Sequence, residues 1–410
     1  METLQQTLSS EYISREEKYN AHNYHPLPVV LEKGEGVFVW DVDGKRYYDF
    51  LSGYSAINQG HCHPRIIAAL TTQAQKLTLT SRAFHSNLLG EYAQYITSFF
   101  GYDKVLPMNT GVEAVETALK LARKWGYTNK KIEENKATVL VCTQNFHGRT
   151  INVISFSSDE SSRTGFGPFV AGYTAIPFNN IHALADALKD KNVCAFLVEP
   201  IQGEAGVVVP DTGYLKTCFD MCKAANVLFI ADEIQTGLAR TGKMLACDHE
   251  DVKPDILILG KALSGGTLPI SAVLCSDEIM LNIKPGEHGS TYGGNPLACK
   301  VAMEALQVLK DENMEKNAAD MGTYFREQLR DLNSPYIRLV RGKGLLNAIE
   351  INHDDKEAAW KLCIEMMHNG LIAKPTHGDK IRFAPPLIIT QDQVDECVQI
   401  IARSLIVLEG

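Results

Sequence analysis

The chain has 410 residues, with 40 Lys and Arg against 49 Asp and Glu, so its formal charge is −9, the wrong sign for a broad nucleic-acid or anionic-membrane footprint. Its composition, 45% hydrophobic and 22% charged, is that of an ordinary globular protein and excludes disorder as the main theme, while the length suggests two to three structural units. No run approaches the roughly 18 to 20 uninterrupted apolar residues of a membrane span, and Met1 to Asn20 mixes acids with polar residues, unlike an apolar signal or an Arg-rich transit segment; the expected compartment is the cytoplasm.

In chain order, Val37 to Phe50 reads as a hairpin with Asp43-Gly44 as its turn. His61-Cys62-His63 superficially resembles a metal cluster, but zinc needs four ligands, or three plus water. No second pair stands at a suitable spacing, so the reading is a loop turning at Pro64 with no metal. The ten cysteines are scattered without a framework of short spacings, and reduced, mostly buried thiols are expected.

From about Val105 to Ser276, short apolar runs alternate with helical stretches. The runs are Thr138 to Cys142, Cys194 to Val198, Val227 to Ala231 and Asp255 to Leu259. This alternation predicts an α/β fold around a mostly parallel, helix-covered sheet. Glu199 and Asp232 follow two of the runs directly, and Lys261 follows the last after a glycine. Ligands of open α/β sheets sit beyond the carboxyl ends of the strands, so chemistry is to be sought at these positions.

Gly286 to Pro296 then leads into a helical pattern from Leu297 to about Leu332. A second α+β unit follows, with a strand over Gly344 to Ile349, a helix near Glu357 to Asn369, and Ile381 to Phe383 ending at Pro385-Pro386. The predicted division is an N-terminal segment of a small domain over 1–50, a large domain over 51–285, and a linker helix with the C-terminal small domain over 286–410.

Three features carry chemistry. Thr110, followed three residues later by Glu113, forms a capping box, which puts Gly111 at a helix N-terminus where free amides and the helix dipole favour an anion, phosphate in particular. A well-capped helix with no ligand has the same signature. Asp232 should be partly buried at a sheet edge, where a carboxylate needs a cationic partner. Lys261 lies among small residues, where a desolvated amine loses its proton and serves as nucleophile or base. An Asp232–Lys261 ion pair would account for both. Together, the three features meet the requirements of pyridoxal phosphate: a phosphate cradle, an acid for the pyridinium nitrogen and a lysine for the Schiff base.

Asp232-Glu-Ile-Gln-Thr-Gly237, Lys261-Ala-Leu-Ser-Gly-Gly266, Asn145-Phe-His-Gly-Arg-Thr150, Glu199-Pro-Ile-Gln-Gly-Glu204 and Ser290-Thr-Tyr-Gly-Gly-Asn295 resemble the motif set of the class III, or ω-amino-acid, aminotransferases, in family order. Asn23 to Pro28, Ser52 to Ala56, Pro200 to Pro210 and Lys374 to Gly378 are most similar to the branch acting on ornithine. The resemblance implies the fold-type I architecture and a homodimer with composite active sites. It implies pyridoxal 5'-phosphate on Lys261, Asp232 on the pyridinium nitrogen, Gln235 on the phenolic oxygen and Phe146 stacked on the ring. Gly111 and Val112 would give amides to the phosphate, and Thr291 would reach it from the partner subunit. His147 departs from a pattern that varies among related enzymes, and only Phe146 is assigned a role there.

For the substrate, the resemblance implies transfer of the δ-amino group of ornithine to 2-oxoglutarate by ping-pong kinetics. Arg149 would clamp the α-carboxylate and Tyr24 would bond near the α-amino group. Tyr54 stands where acetylornithine enzymes usually carry a smaller residue. Glu204 would neutralise Arg382 while ornithine is bound, then release it to grip the α-carboxylate of glutamate or 2-oxoglutarate. The rivals are an acetylornithine, 4-aminobutyrate or lysine ω-aminotransferase, a Schiff-base aldolase using Lys261 without a cofactor, and a non-catalytic binding protein.

Overall fold

The computed structural model describes residues 8–409. Its centre is a seven-stranded sheet in the spatial order Lys104–Met108, Ser271–Cys275, Ile256–Leu259, Leu228–Asp232, Val193–Val198, Thr138–Cys142 and Tyr173–Ile176. All neighbours pair parallel except Ser271–Cys275, which is antiparallel to both of its partners. Every residue of Val193–Val198 is buried, because the sheet is covered on both faces, and this is why the strand reads as an unbroken apolar run. Alternate side chains feed two cores. Val139, Val141, Leu197 and Ile230 pack with the helix Gly111–Thr128, whereas Leu140, Phe196, Val198 and Phe229 pack with Leu215, Cys218 and Cys222 of the helix Tyr214–Ala224.

The four apolar runs predicted as central strands are present within one residue at each end, whereas the strand expected over Gly344 to Ile349 lies two residues later, at Leu346–Ile351. Asp232 is the last residue of its strand, Glu199 directly follows Val198, and Lys261 stands two residues beyond Leu259. Since these strands run parallel, the three groups emerge on one edge of the sheet.

Two smaller sheets flank this core. One joins Leu31–Glu35, Phe38–Asp41 and Arg46–Asp49 to Leu371–Ile372, so both chain ends contribute to it. The other is antiparallel, in the order Ile337–Lys343, Leu346–Ile351, Lys380–Phe383 and Lys374–Thr376, and it carries Arg382. The single helix anticipated over 297–332 is instead two, Pro296–Asp311 and Met314–Asp331. Asn313 between them has φ +52°, a left-handed conformation that asparagine tolerates and a right-handed helix cannot continue through.

Nine cysteines are buried, Cys62 is exposed, and all ten are free. His61 pairs with Asp49 at 2.8 Å and His63 with Glu312 at 2.9 Å, so each of these rings is taken up by a carboxylate. Among the described residues no helix is long and apolar enough to cross a membrane.

Candidate active site

The helix Gly111–Thr128 begins as its sequence demands. Thr110 Oγ1 accepts from Glu113 N, while Glu113 Oε2 accepts from the backbone N–H groups of Thr110 and Asn109. The amides of the following turn are thereby aligned at the positive end of the helix. Gly111 lies against Ile234, where a methyl group would sit 3.0 Å from Cδ1, and Gly260 lies against the same side chain and 3.7 Å from Gly111 Cα at its own missing methyl. Ile234 therefore wedges the turn after Asp232 between the helix start and the residue before Lys261. Gly111 and Lys261 line one cavity of about 430 Å³ together with Asn109, Thr110, Ser264 and Thr267.

Lys261 opens a short 3₁₀ turn, Lys261–Ser264, with φ +41°. A non-glycine residue there is strained by about 1 kcal/mol or more, a cost that commonly marks a functional position. Burial lowers the ammonium's pKa, against the opposing fields of Glu204 and Asp232. The alternative Asp232–Lys261 ion pair does not form. The carboxylate turns to His147 instead, with Nδ1 to Oδ2 at 2.6 Å and side-chain exposures of 1% and 4%. Burial alone would lower the imidazole's pKa, but Asp232 reverses that and raises it. Asp232 Oδ1 accepts from Ile234 N at 3.1 Å.

Phe146 is held by its backbone, its N–H donating to Glu199 Oε1 at 2.8 Å. Burial pushes the Glu199 carboxyl up to about 7. A methyl on Gly148 would lie 2.5 Å from Val112 Cγ2, which places the Phe146 segment against the helix N-terminus. Gln235 Nε2 donates to Glu204 Oε1 at 3.1 Å, and Arg382 Nη1 donates to the same oxygen at 2.6 Å and to Gln235 Oε1 at 3.4 Å. Burial would raise the Glu204 pKa, yet the charge and hydrogen bond of Arg382 hold it below the ordinary range. The Arg382 guanidinium stands 5.4 Å over the ring of Tyr54. Tyr54 belongs to a left-handed turn in which Ser52, Gly53, Tyr54 and Ser55 all have positive φ. Asp49 Oδ1 steadies its start by accepting from Leu51 N and Ser52 N at 2.9 and 2.8 Å.

Phe146, His147, Arg149 and Glu204 line a second cavity of about 480 Å³. Arg149 is well exposed, 3.9 Å from Asp159 and 5.3 Å over the Phe146 ring. Tyr24 is 71% exposed, with Lys374 Nζ 5.9 Å over its ring. Thr291 is exposed too, beside Ser290, whose hydroxyl accepts from Asn109 Nδ2 at 2.7 Å. Lys261, Asp232, Gly111, Val112, Phe146, Gln235, Glu204, Arg382 and Tyr54 thus converge, whereas Tyr24 and Thr291 stand at the open periphery.

Residues 19–405 match the family model described as aminotransferase class-III. The chain belongs to the class-III aminotransferases. It is 64% identical over 393 residues to "Ornithine aminotransferase, mitochondrial" of Drosophila melanogaster, an alignment covering 96% of this chain and 91% of that one. Its structure is similar to that of the ornithine aminotransferase of Toxoplasma gondii, where pyridoxal phosphate was found at partial occupancy in the active site, with TM-score 0.97, 49% identity and coverage of 99% and 96% of the two chains. It is also similar to an acetylornithine aminotransferase from Elizabethkingia anophelis, with TM-score 0.89, 57% identity and coverage of 97% and 99%.

The class-III cofactor, pyridoxal phosphate, fits the residues in place. An amide-bearing helix start and a desolvated lysine share one cavity, an enclosed acid closes the neighbouring strand, and Gly203 leaves room where a methyl would meet Gln235 Oε1 at 1.5 Å. Sequence reasoning missed His147 as the partner of Asp232, because the two lie 85 residues apart. It flagged Glu199 as a charge at a strand end and as the start of a family motif, but not as the acceptor of the Phe146 amide.

Proposed function

We propose that the chain transfers the δ-amino group of L-ornithine to 2-oxoglutarate, giving glutamate 5-semialdehyde and glutamate, with pyridoxal 5'-phosphate as cofactor. The observation that carries this reading is the enclosed Arg382 held by Glu204 above Tyr54. A site that takes a donor through its terminal amine and an acceptor through a 2-oxo group beside a carboxylate needs a cation that can be masked and unmasked. Similarity to the Drosophila and Toxoplasma ornithine aminotransferases supports the same donor.

When bound, pyridoxal phosphate supplies the electron sink that acidifies the carbon bearing the substrate amine. Asp232 would hold the proton on its ring nitrogen, Phe146 would face the ring, and Gln235 would bond its phenolic oxygen. The amides of Gly111 and Val112 would hold its phosphate, together with Thr291 of the partner subunit. Lys261, whose ammonium is disfavoured by burial, moves the proton from the substrate carbon. Arg149 clamps the ornithine α-carboxylate with two parallel hydrogen bonds, and Tyr24 bonds near the α-amino group. Tyr54, with Arg382 masked behind it, fills the space that a bulkier acylated donor would need. In the second half-reaction Glu204 swings away and Arg382 takes the α-carboxylate of 2-oxoglutarate.

An amino-donor panel with 2-oxoglutarate tests the reading. Ornithine should exceed N-acetylornithine, 4-aminobutyrate and lysine in kcat/KM by about tenfold or more, the scale on which a few side chains discriminate. Preference for another donor overturns it. A cofactor absorbance that ornithine changes separates this reading from a cofactor-free aldolase and from a binding protein. The chain forms a homodimer with composite active sites and divides at residues 50 and 285, as its mass by analytical ultracentrifugation and its limited proteolysis should show. The cytoplasmic placement is held as a proposal beside a relative whose name says mitochondrial, and fractionation of cells carrying the tagged chain decides it.

A further inference from the structure

Phe146 and His147 are consecutive residues anchored in different directions. The Phe146 N–H donates to Glu199 and the His147 ring to Asp232. Gly148 then turns at φ +128°, where a methyl group would strike Val112, so the backbone after the pair passes close against the helix start. Among the described residues the imidazole has Asp232 as its hydrogen-bond partner and none at Nε2, although Nε2 is buried. The ring also stands 5.9 Å from that of Phe156 between centroids, and the Glu199 carboxylate acts on it through its field without a hydrogen bond. A buried histidine that served only to fill space would be expected to satisfy both nitrogens or to be replaced by an apolar side chain. This one directs a single hydrogen bond at one carboxylate oxygen.

Asp232 consequently receives one protein donor on each oxygen, His147 on Oδ2 and Ile234 N on Oδ1. Two donors on opposite oxygens fix the plane of a carboxylate and leave each oxygen a free lone pair. We infer that His147 is a positioning residue: its Nδ1–H sets the plane of the Asp232 carboxylate and thereby the direction from which that acid meets the cofactor's ring nitrogen. Because Phe146 precedes it, one dipeptide braces both the face of the ring and the acid at its edge, with Glu199 anchoring the first half and Asp232 tied to the second. The inference rests on the assignment of Asp232 to the ring nitrogen.

Two polar replacements separate positioning from space filling. In His147→Asn the amide nitrogen takes the place of Nδ1 and keeps the bond to Asp232. In His147→Gln the amide reaches the place of Nε2, where no partner waits. The readout is the rate at which the purified holoenzyme releases its cofactor, followed by absorbance after dilution into a trap. His147→Gln should release it at least about tenfold faster than the unaltered enzyme, the scale of one lost charge-assisted hydrogen bond, and its cofactor band should move. His147→Asn should stay within about threefold, since the donor is retained. Equal rates in the two variants, or the reverse order, overturn the inference. An Asp232→Asn arm keeps the two levels apart. If that variant holds the cofactor as the unaltered enzyme does, the assignment of Asp232 fails; if it releases faster while the two His147 variants match each other, only the positioning role fails.

Discussion

Arg382 Nη1 donates to Glu204 Oε1 across 2.6 Å, and the two partners are unequally enclosed, with 3% of the arginine side chain exposed and 24% of the glutamate's. Arg382 comes from a strand of the smaller antiparallel sheet and Glu204 from the loop after a strand of the central one. Removing the more open partner leaves the deeper one as an unpaired cation, its Nε already without a hydrogen bond. A buried charge without its partner is costly, and any carboxylate that enters the site relieves it.

Glu204→Ala should therefore lose discrimination against α-amines. The ratio of kcat/KM for glutamate over ornithine as donor should rise about tenfold or more, as expected for a newly unpaired buried charge. Arg382→Ala should impair the 2-oxoglutarate half-reaction more than the ornithine one. Single-turnover measurements of each half-reaction check both; an unchanged ratio, or equal loss in the two halves, would make the pair a structural one.

Borohydride reduction of the holoenzyme followed by peptide mapping should label Lys261. It is the lysine that shares a cavity with Gly111 and lies in desolvating surroundings. Label on a different lysine would remove it from the mechanism.

The placement of the candidate cofactor residues was legible because it follows local rules. A capping box marks Thr110, and fully buried strands mark where Asp232 and Lys261 emerge. What the sequence withheld were contacts made through the third dimension. His147 meets Asp232 from a different strand-end loop, so no spacing announces it. The ion pair that seemed available between Asp232 and Lys261 gave way to that imidazole. The left-handed turn at Tyr54 was likewise hidden: of its four residues only Gly53 signals positive φ. Asn313, by contrast, is a residue type that often takes that conformation, and its single break splits the long helix.

Gly203 is tested by adding one carbon. A methyl there would stand 1.5 Å from Gln235 Oε1 and 2.6 Å from its Cδ, so the amide must leave its bond to Glu204. Gly203→Ala should reduce kcat/KM by about tenfold or more, as small displacements in an active site do. In a Gln235→Ala background the same change should add little, since the colliding group is gone. Steady-state kinetics of the double-mutant cycle decide it, and fully additive losses would mean that the glycine matters for another reason.

Glu199 gives a pH-dependent prediction whose sign differs from that of an ordinary ion-paired acid. Burial pushes its carboxyl from an ordinary value of 4.5 up to about 7. Below the ordinary value it is protonated in the folded and unfolded chains alike, and it contributes nothing to the pH dependence. As pH rises toward 7 the unfolded chain releases this proton and the folded chain retains it, so stability falls through that window; above it the deficit is constant. Glu204 behaves oppositely, because its lowered pKa gives stability that is present above the ordinary carboxylate value and lost toward acid. Glu199→Gln cannot ionise and keeps an oxygen to accept from Phe146 N. Its stability relative to the unaltered enzyme should therefore increase between pH 5 and pH 8, by on the order of 1 to 3 kcal/mol. Thermal melts of both proteins at the two pH values check it: a difference that stays flat, or that shrinks as pH rises, would show that Glu199 is ionised in the folded protein and held by a partner other than the Phe146 amide.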